Sequence, residues 1–565
     1  MKKRALLIAA LAGVMGVNAQ TARVQVIHNC ADLAADSVDV YLDNTLLLDN
    51  FAFRTATSYI DAPATGTPIR LSIAPKTSTG VTDTFYSVSV TLDPVKKYVI
   101  VANGIESTMG YTPGATAVPF RLSVFEAARE TAAVATNTDL LVVHGSTDAP
   151  VVDVRAANAV LVNDIAFGQF NAAGYLSLPT SNYIIDVTTA TGTTVKRYSA
   201  PLSTLSLTGA AVTVVASGFL NPAVNSSGAA FGLWAAPATG GALIPLEEVA
   251  RVQVIHNCAD AAADSVDVYI NGTLLLNNFA FRTASPFVNA PVGVPVTLGV
   301  APKNSTSVAD TIYSTTVTLS SEKRYILVAN GLVSPTGYTP AATAVPFRLS
   351  IYQQGREISA FSADTTDVLV VHGSTDAPTV DVKAGMATLV NDISFGSFAV
   401  GGYLNLPTNN YTLDVTNASG STVIKSYTAP LTTLGLDEDA ITVVASGFVN
   451  PAVNSNGPAF GLWVALASGG ALIPLPEATA SVTAVQAAAS YRVYPNPVSG
   501  RLHFAATGNT IAKHVGIYSV TGSLVAEMKD VASGSFEMSD LAAGIYIMKV
   551  VDADGAAAIF SISKQ

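Results

Sequence analysis

Apolar and polar residues alternate with a period of two along most of the chain. Val24, Val26 and His28 occupy alternate positions, which places them on one face of a β-strand because successive side chains of a strand point to opposite faces. Short runs rich in Val, Thr, Tyr and Phe recur about every ten residues and are separated by Pro, Gly and Asn. This pattern is typical of β-sandwiches. The only two helix-like segments, 124–133 and 351–360, are interpreted as strand ends that run into linkers.

The sequence repeats itself at a fixed interval. Residues 23–41 return almost unchanged at 251–269, which indicates a duplication of about 228 residues. Each long unit is itself double, because its opening pattern of apolar residues, His, Asp and Val-Asp-Val returns in its second half. The predicted segments are a signal peptide (1–19), module 1a (22–130), module 1b (138–248), module 2a (250–358), module 2b (366–475), a linker (476–490) and a C-terminal module (491–565).

The predicted fold is all-β: a tandem array of four immunoglobulin-like antiparallel β-sandwich modules plus a small C-terminal β-sandwich. Each of the four modules has about 110 residues, a size that suits one sandwich core. The pair Asn271-Gly272 separates two strand-like runs. Because Asn and Gly tolerate the two positive φ angles of a type I′ turn, the pair predicts a β-hairpin.

The first twenty residues are patterned for export. Three cationic residues precede an apolar stretch over 5–17, and small residues end at Ala19. The apolar stretch is shorter than the roughly 20 residues that a membrane-spanning helix needs. These features predict a signal peptide that is cleaved between Ala19 and Gln20. No later apolar stretch reaches that length, so no transmembrane helix is predicted.

The amino-acid composition excludes some classes of protein function. Hydrophobic residues make up 49% of the chain and charged residues only 12%, which excludes disorder for most of it. With 29 Lys and Arg against 40 Asp and Glu, there is no basic surface for a phosphate backbone, so nucleic acid is not an expected partner. The two cysteines, Cys30 and Cys258, occupy equivalent repeat positions. We predict that both are buried free thiols.

Two residue types recur at equivalent positions of the four modules. They are His28, His144, His256 and His372, and Asp39, Asp153, Asp267 and Asp381. A His beside an Asp can form an acid/base pair or part of a metal site. However, each module offers one His, whereas a structural zinc site needs four ligands and a catalytic one three. We therefore interpret these residues as structural, and expect no catalytic residue, no metal and no cofactor.

Two further groups of residues leave alternatives open. Trp234 and Trp463 lie in repeated FGLW segments and either stack on sugars or pack in a core or between modules, as their apolar neighbours favour. Four carboxylates make module 1a locally acidic and are of the type that binds Ca²⁺, although no Asp-x-Asp-x-Asp-Gly loop occurs. They are Asp32, Asp36, Asp39 and Asp43.

The C-terminal module consists of alternating strands separated by Pro-Asn-Pro, Thr-Gly and Asp-Gly turns. It closely resembles the C-terminal sorting domain of the type IX secretion system of Gram-negative bacteria. The matching residues are Tyr494, Pro495, Asn496, Pro497, Gly500, Gly522, Gly544 and Tyr546. The resemblance implies that this domain binds the type IX machinery, carries the chain across the outer membrane and is then removed. The mature protein would be anchored on the cell surface or released.

The four larger modules resemble secreted bacterial β-sandwich repeats known as domain of unknown function 4397. The family's opening of a Val-Val-His strand, an Asp-Ala-Pro turn and a Val-Asp-Val strand is matched best at 142–154 and 370–382. Modules 1a and 2a depart from it, since they lack the Pro after Asp32 and Asp260 and carry two extra residues. This resemblance implies no established activity.

We therefore expect a secreted or cell-surface protein that is not an enzyme and forms a structural, adhesive or binding array. Repetition raises avidity without a strong single site. The expected ligand class is an extracellular glycan or protein. The alternative is a glycan-binding or hydrolytic accessory protein, which requires exposed aromatic rows or paired carboxylates at one edge of a sandwich.

Overall fold

The computed structural model describes residues 20–360, 364–478, 491–506, 511–519, 523–531, 533–552 and 557–565. The predicted signal peptide, including Ala19, lies outside the described residues, and Gln20 is the first of them. The chain divides into two compact units between Pro476 and Glu477. The described ranges contain β-strands and no α-helix, so the all-β prediction is confirmed. They also hold single-turn 3₁₀ helices at Leu33–Ala35, Val81–Asp83, Pro222–Val224, Ala261–Ala263, Val308–Asp310 and Pro451–Val453.

Modules 1a and 1b each consist of two facing sheets, with strands numbered in chain order. The first sheet of module 1a contains β1 (Thr21–His28), β4 (Thr55–Ala56), β5 (Ile60–Pro63), β8 (Lys97–Asn103) and β9 (Arg121–Phe125), and the second contains β2 (Ser37–Leu42), β3 (Thr45–Ala52), β6 (Ile69–Pro75) and β7 (Tyr86–Val90). The first sheet of module 1b contains β10 (Asn137–His144), β13 (Leu176–Pro179), β16 (Ala211–Ser217), β17 (Gly232–Pro237) and β19 (Ile244–Pro245), and the second contains β11 (Val152–Ala156), β12 (Ala159–Ile165), β14 (Asn182–Thr189) and β15 (Thr194–Pro201).

Modules 2a and 2b repeat this arrangement. The first sheet of module 2a contains β20 (Glu247–His256), β23 (Thr283–Ala284), β24 (Val288–Pro291), β27 (Arg324–Asn330) and β28 (Arg348–Tyr352), and the second contains β21 (Ser265–Ile270), β22 (Thr273–Ala280), β25 (Pro295–Pro302) and β26 (Tyr313–Thr318). The first sheet of module 2b contains β29 (Thr365–His372), β32 (Leu404–Pro407), β35 (Ala440–Ser446), β36 (Gly461–Leu466) and β38 (Ile473–Pro474), and the second contains β30 (Val380–Ala384), β31 (Ala387–Ile393), β33 (Asn410–Asn417) and β34 (Val423–Pro430).

The second unit is a small two-sheet sandwich. Its sheets contain β39 (Tyr491–Tyr494), β40 (Arg501–Ala506) and β43 (Ser533–Glu537), and β41 (Ala512–Ser519), β42 (Leu524–Val531), β44 (Gly544–Asp552) and β45 (Ala557–Lys564). Fully buried apolar side chains fill the space between the sheets, among them Leu502, Phe504, Val515, Ile517 and Met548.

One strand pair in each larger module departs from the antiparallel arrangement that we predicted. β1 runs parallel to β8, and the same holds for β10 with β16, β20 with β27 and β29 with β35. The chain between β1 and β8 builds the whole second sheet before it returns. A long crossover of this kind can bring a strand back in the same direction, whereas a two-residue hairpin cannot.

The predicted hairpin at Asn271-Gly272 is confirmed. The two residues join β21 to β22 with φ angles of 48° and 83°, both in the left-handed region that a type I′ turn requires. Glycine has no Cβ and adopts this conformation without steric strain.

The first sheets of modules 1a and 1b pack against each other. Ile27, Val99 and Val101 of module 1a and Leu141 and Val143 of module 1b are fully buried in one apolar cluster. Modules 2a and 2b share an equivalent cluster. These sheets are therefore buried on both faces, which explains why β8 reads as a continuous apolar run.

Strand pairing also joins the modules. β18 (Gly241–Ala242) of module 1b pairs with β4, and β37 (Gly470–Ala471) of module 2b pairs with β23. β20 begins by pairing with β15 of module 1b and continues as the first strand of module 2a. The predicted boundary between modules 1b and 2a therefore lies inside one strand, since the sequence from Glu247 to Arg251 contains no turn-forming residue.

Gly145 lies at a tight contact between modules 1a and 1b. A Cβ atom at this position would lie 2.0 Å from Asn29 Nδ2 and 2.9 Å from the Ala216 carbonyl oxygen. We expect Gly145→Ala to lower the free energy of unfolding by about 1 to 3 kcal/mol because it overpacks a buried contact. Gly401→Ala is the matched control, since a Cβ there has no neighbour within 4 Å. Equal urea midpoints for the two variants would contradict the prediction.

Candidate functional site

The four recurrent histidines lie at the ends of the equivalent strands β1, β10, β20 and β29, and all four are buried. Each Nε2 lies within hydrogen-bond distance of a backbone carbonyl oxygen. The partners of His28, His144, His256 and His372 are Ala35 (2.8 Å), Pro150 (3.0 Å), Ala263 (2.8 Å) and Pro378 (3.0 Å). The 3₁₀ turn in modules 1a and 2a and the Asp-Ala-Pro turn in modules 1b and 2b therefore supply the same acceptor.

The imidazole of His28 uses both nitrogens. Nε2 donates to the Ala35 carbonyl, since that oxygen can only accept, and Nδ1 accepts from the backbone N–H of Cys30 at 3.3 Å. Burial lowers the pKa of His28 to about 4, although the Ala35 carbonyl and the nearby Asp36 act in the opposite direction. The pKa of His256 is lowered to about 4 for the same main reason. At neutral pH both rings are therefore uncharged.

The recurrent aspartates hold a left-handed residue in the next strand. Asp39 Oδ1 accepts the backbone N–H of Asn50 at 2.9 Å, and Asn50 has a φ of 53°. Asp153, Asp267 and Asp381 accept in the same way from Asp164, Asn278 and Asp392. In every module the carboxylate therefore stabilises an irregular strand pair.

A second set of aspartates joins loops within each module. Asp32 accepts hydrogen bonds from the backbone N–H groups of Ala34, Glu106 and Ser107 and from the Ser107 hydroxyl. Asp148, Asp260 and Asp376 make the equivalent contacts. The other acidic residues of module 1a lie apart from Asp32: Asp36 pairs with Lys76 at 2.9 Å and Asp43 accepts the backbone N–H of Arg70. Within the described ranges, no three His, Cys, Asp or Glu side chains are placed to bind one metal ion.

Both cysteines are buried free thiols, as predicted. The Sγ of Cys30 donates to the Gly104 carbonyl and that of Cys258 to the Gly331 carbonyl, each at 3.1 Å. Burial raises the pKa of each thiol to about 12. Both thiols are therefore protonated and unreactive at neutral pH.

The two tryptophans lie at the contacts between modules. The guanidinium of Arg54 in module 1a stacks over the Trp234 ring of module 1b, 4.0 Å from its centroid. Arg54 also donates to the Ser217 and Ala230 carbonyls of module 1b, and its burial lowers its pKa to about 10. Arg282 and Trp463 repeat the arrangement. Their role between modules agrees with one of the two interpretations from the sequence, whereas the arginines were not anticipated.

A buried ionic network, also not anticipated, joins module 1b to module 2a. The Arg197 side chain is fully buried; it lies 2.6 Å from Asp186 and donates to the carbonyls of Ser321 and Lys323. Asp186 also binds Arg324 at 2.9 Å, and Glu357 binds both Arg324 and Arg251. Burial and the neighbouring Arg324 lower the pKa of Arg197. The sequence contains one indication of this site: the residue equivalent to Arg197 in module 2b is Ser426, so the two copies differ at this position.

In the C-terminal unit the described sorting residues lie in two places, at β39 and the turn that follows it, and in β44. The Asn496 side chain donates to the Ser561 carbonyl and accepts from the Ser563 backbone N–H, which ties the Pro-Asn-Pro turn to β45. Tyr494 is exposed and stacks on His503, with ring centroids 5.7 Å apart. Pro495, Pro497 and Gly500 follow β39, and Gly544 and Tyr546 lie in β44, between β41 and β45. Gly522 lies outside the described residues.

Two protein-family profiles match the chain. The family described as "Domain of unknown function (DUF4397)" matches residues 22–131, 250–346 and 366–455. The family described as "Secretion system C-terminal sorting domain" matches residues 492–560. The resemblance to the sorting domain is confirmed. The resemblance to domain of unknown function 4397 is confirmed for modules 1a, 2a and 2b, whereas module 1b lies outside the matched residues. No curated protein matches the chain.

Two solved structures are similar at low identity. The Bacillus anthracis TIE protein is 10% identical; the alignment covers 79% of this chain and 68% of that one, with a TM-score of 0.11. The Bacteroides ovatus mixed-linkage glucan utilization locus SGBP-B, solved with a mixed-linkage heptasaccharide, is 13% identical over 55% of this chain and 65% of that one, also with a TM-score of 0.11. In the part of the chain that the structure describes, no helix has the length and apolar character for a membrane crossing.

Proposed function

Because the chain belongs to the family described as domain of unknown function (DUF4397) and ends in a secretion sorting domain, we propose that it is a non-enzymatic repeat protein that forms a structural, adhesive or binding array outside the cell. The sorting domain implies export through the type IX secretion machinery to the cell surface or the extracellular space. The ligand class that we propose is an extracellular glycan or protein.

The observation that supports this proposal is that the repeated polar residues bind backbone groups of the modules. His28 and its three equivalents bind backbone carbonyls, and Asp39 and its equivalents bind backbone amides. Arg54 and Trp234 bind each other across a contact between modules. These repeated His and Asp side chains, together with Arg54 and Trp234, therefore stabilise the modules and the contacts between them. This is the arrangement expected of a scaffold.

Export can be tested by removing the sorting domain. We expect the full chain to be found outside the cell and a variant truncated after Ser490 to stay in the periplasm, because the truncation removes every residue matched by the sorting profile. Cell fractionation with mass spectrometry of the mature termini measures this, with a start at Gln20 and an end within 476–490 expected for the exported form.

The matched control keeps the sorting domain and changes an exposed residue of β42, Glu527→Gln. This variant should be exported like the unmodified chain. If the truncated variant also reached the cell surface, or if residues 491–565 were retained on the exported protein, the proposed export route would be wrong.

The alternative function, a glycan-binding or hydrolytic accessory protein that stacks sugar rings on Trp234 and Trp463, can be tested separately. It requires an aromatic face that is free to stack on a sugar ring, whereas Arg54 covers one face of Trp234. We expect the chain from Gln20 to show no binding to insoluble cellulose or chitin in a sedimentation assay. Binding that is lost in a Trp234→Ala, Trp463→Ala variant would instead favour the alternative.

A further inference from the structure

Modules 1a and 2b carry surfaces that are equivalent to the two sides of the junction between modules 1b and 2a. On the module 1b side, the junction uses Asn158, Asp186 and Arg197; on the module 2a side, it uses Arg251, Arg324 and Glu357. The sequence repeat places Met386, Asp414 and Ser426 at the first set of positions in module 2b, and Arg23, Lys97 and Glu130 at the second set in module 1a. We name these surfaces the trailing face and the leading face.

The leading face keeps the ion pairs of the junction without the module that covers them. Arg23 binds Glu130 and Lys97 binds Glu130, each at 2.9 Å, as Arg251 and Arg324 bind Glu357 in the junction. The Arg23 side chain is 37% exposed, whereas that of Arg251 is 13% exposed. The neighbouring Val95 is 87% exposed. A binding surface present inside the chain is thus repeated, uncovered, at the start of module 1a.

The trailing face keeps the acceptor that the junction uses. In the junction, Asp186 Oδ1 lies beside Arg197 and Asp186 Oδ2 binds Arg324. In module 2b, Asp414 Oδ1 accepts from the Ser426 hydroxyl at 2.5 Å, and Oδ2 corresponds to the atom that binds Arg324. The cation at the Arg324 position of the leading face is Lys97. The two faces therefore carry opposite charges at one matched pair of positions, Asp414 and Lys97.

The third contact of the junction, between Asn158 and Ser359, involves different residues on the leading and trailing faces. Asn158 donates to the Ser359 carbonyl in the junction at 2.7 Å. Its equivalent on the trailing face is the exposed Met386, and the equivalent of Ser359 in module 1a is Ala132, followed by the exposed Val134. The amide donor of the junction is thus replaced by an apolar side chain on the trailing face, and the leading face presents apolar side chains at the facing positions.

We propose that copies of this chain associate head to tail, with the trailing face of one copy bound to the leading face of the next in the geometry of the internal junction. Lys97 then binds Asp414, and Met386 packs against Ala132 and Val134. The two surfaces differ, so the contact is heterologous and leaves one free face at each end of the assembly, which allows further copies to add. This association goes beyond the proposed function, because export does not depend on it.

The test uses two charge-reversed variants of the chain from Gln20 to Gln565, Lys97→Asp and Asp414→Lys, in sedimentation velocity over a concentration series. We expect the unmodified chain to self-associate, and each variant alone to associate at least about tenfold more weakly, because like charges then meet in the contact. Mixing the two variants should restore association, since each trailing face then finds a leading face of opposite charge. A rise in salt should weaken the unmodified assembly.

Several outcomes would overturn the proposal: a monomer at every concentration, single variants that associate as the unmodified chain does, or a mixture that stays monomeric. A symmetric contact between two leading faces would be disrupted by Lys97→Asp but not by Asp414→Lys, which also contradicts it. Lys76→Asp, at the other end of module 1a, is the control and should leave association unchanged. If Lys97→Asp lowers the melting temperature, Met386→Lys replaces it, because the exposed Met386 can change without disturbing the fold and should still weaken association.

Discussion

Replacement of Arg197 by alanine should lower the free energy of local opening at the junction of modules 1b and 2a by about 3 to 5 kcal/mol. The variant leaves the carbonyls of Ser321 and Lys323 and the Asp186 carboxylate in a buried site without the guanidinium that they bind. Native-state hydrogen exchange measures this locally. The amides of β15 and β27 should exchange roughly 10²- to 4 × 10³-fold faster, while those of β41 in the C-terminal unit should be unchanged.

Two controls compare the buried arginine with the hydroxyl that module 2b carries at the equivalent position. Arg197→Ser copies the residue of module 2b at position 426, so its hydroxyl can still donate to Asp186, but it cannot reach two carbonyls at once. It should therefore destabilise the junction almost as much as alanine does. Ser426→Ala removes one hydrogen bond, to Asp414, and should cost about 1 kcal/mol. Similar exchange rates in Arg197→Ala and Ser426→Ala would show that the buried arginine does not stabilise the junction.

The fold was largely predictable because its pattern occurs four times. An alternation that is ambiguous in one copy, such as Val24, Val26 and His28, becomes clear when it returns at the same spacing. The parallel pair of β1 and β8 was not predictable, because periodicity shows which residues share a face but not which strands are neighbours. Similarly, the boundary between modules 1b and 2a was predicted from the repeat length, and the sequence does not show that β20 continues across it.

The roles of the candidate residues were predictable only in part. Each module offers one histidine, whereas a zinc site needs three or four ligands, so the sequence favoured a structural role for His28. The hydrogen bond of His28 to the Ala35 carbonyl agrees with that interpretation. Arg197 was missed because a single arginine in an alternating strand resembles an exposed polar residue. Its burial depends on module 2a, which the local pattern does not contain. A difference between the two copies, such as Arg197 against Ser426, is the signal that identifies residues serving the contacts between modules.

Acidification should destabilise the first unit between about pH 6.5 and pH 4, because His28 and His256 are buried as neutral rings. The pKa of each is lowered to about 4, mainly by burial, whereas an unfolded histidine titrates near pH 6.5. In that interval the unfolded chain binds more protons than the folded one. The stabilising contribution is therefore fully present above pH 6.5, is lost as the pH falls towards 4, and amounts to roughly 3 kcal/mol for each histidine.

The geometry of His28 explains why it resists protonation. A proton on Nδ1 would face the backbone N–H of Cys30, which now donates to that nitrogen. Urea unfolding at pH 7, 5.5 and 4.5 should show a smaller loss of stability in His28→Gln, His256→Gln than in the unmodified chain, since the glutamine amide offers a donor and an acceptor but does not titrate. The carboxylates titrate in both proteins, so the difference between the two curves isolates the histidines. His514→Gln, in the C-terminal unit, is the control and should reproduce the unmodified curve. Parallel curves for the double variant and the unmodified chain would mean that these histidines do not determine the acid sensitivity.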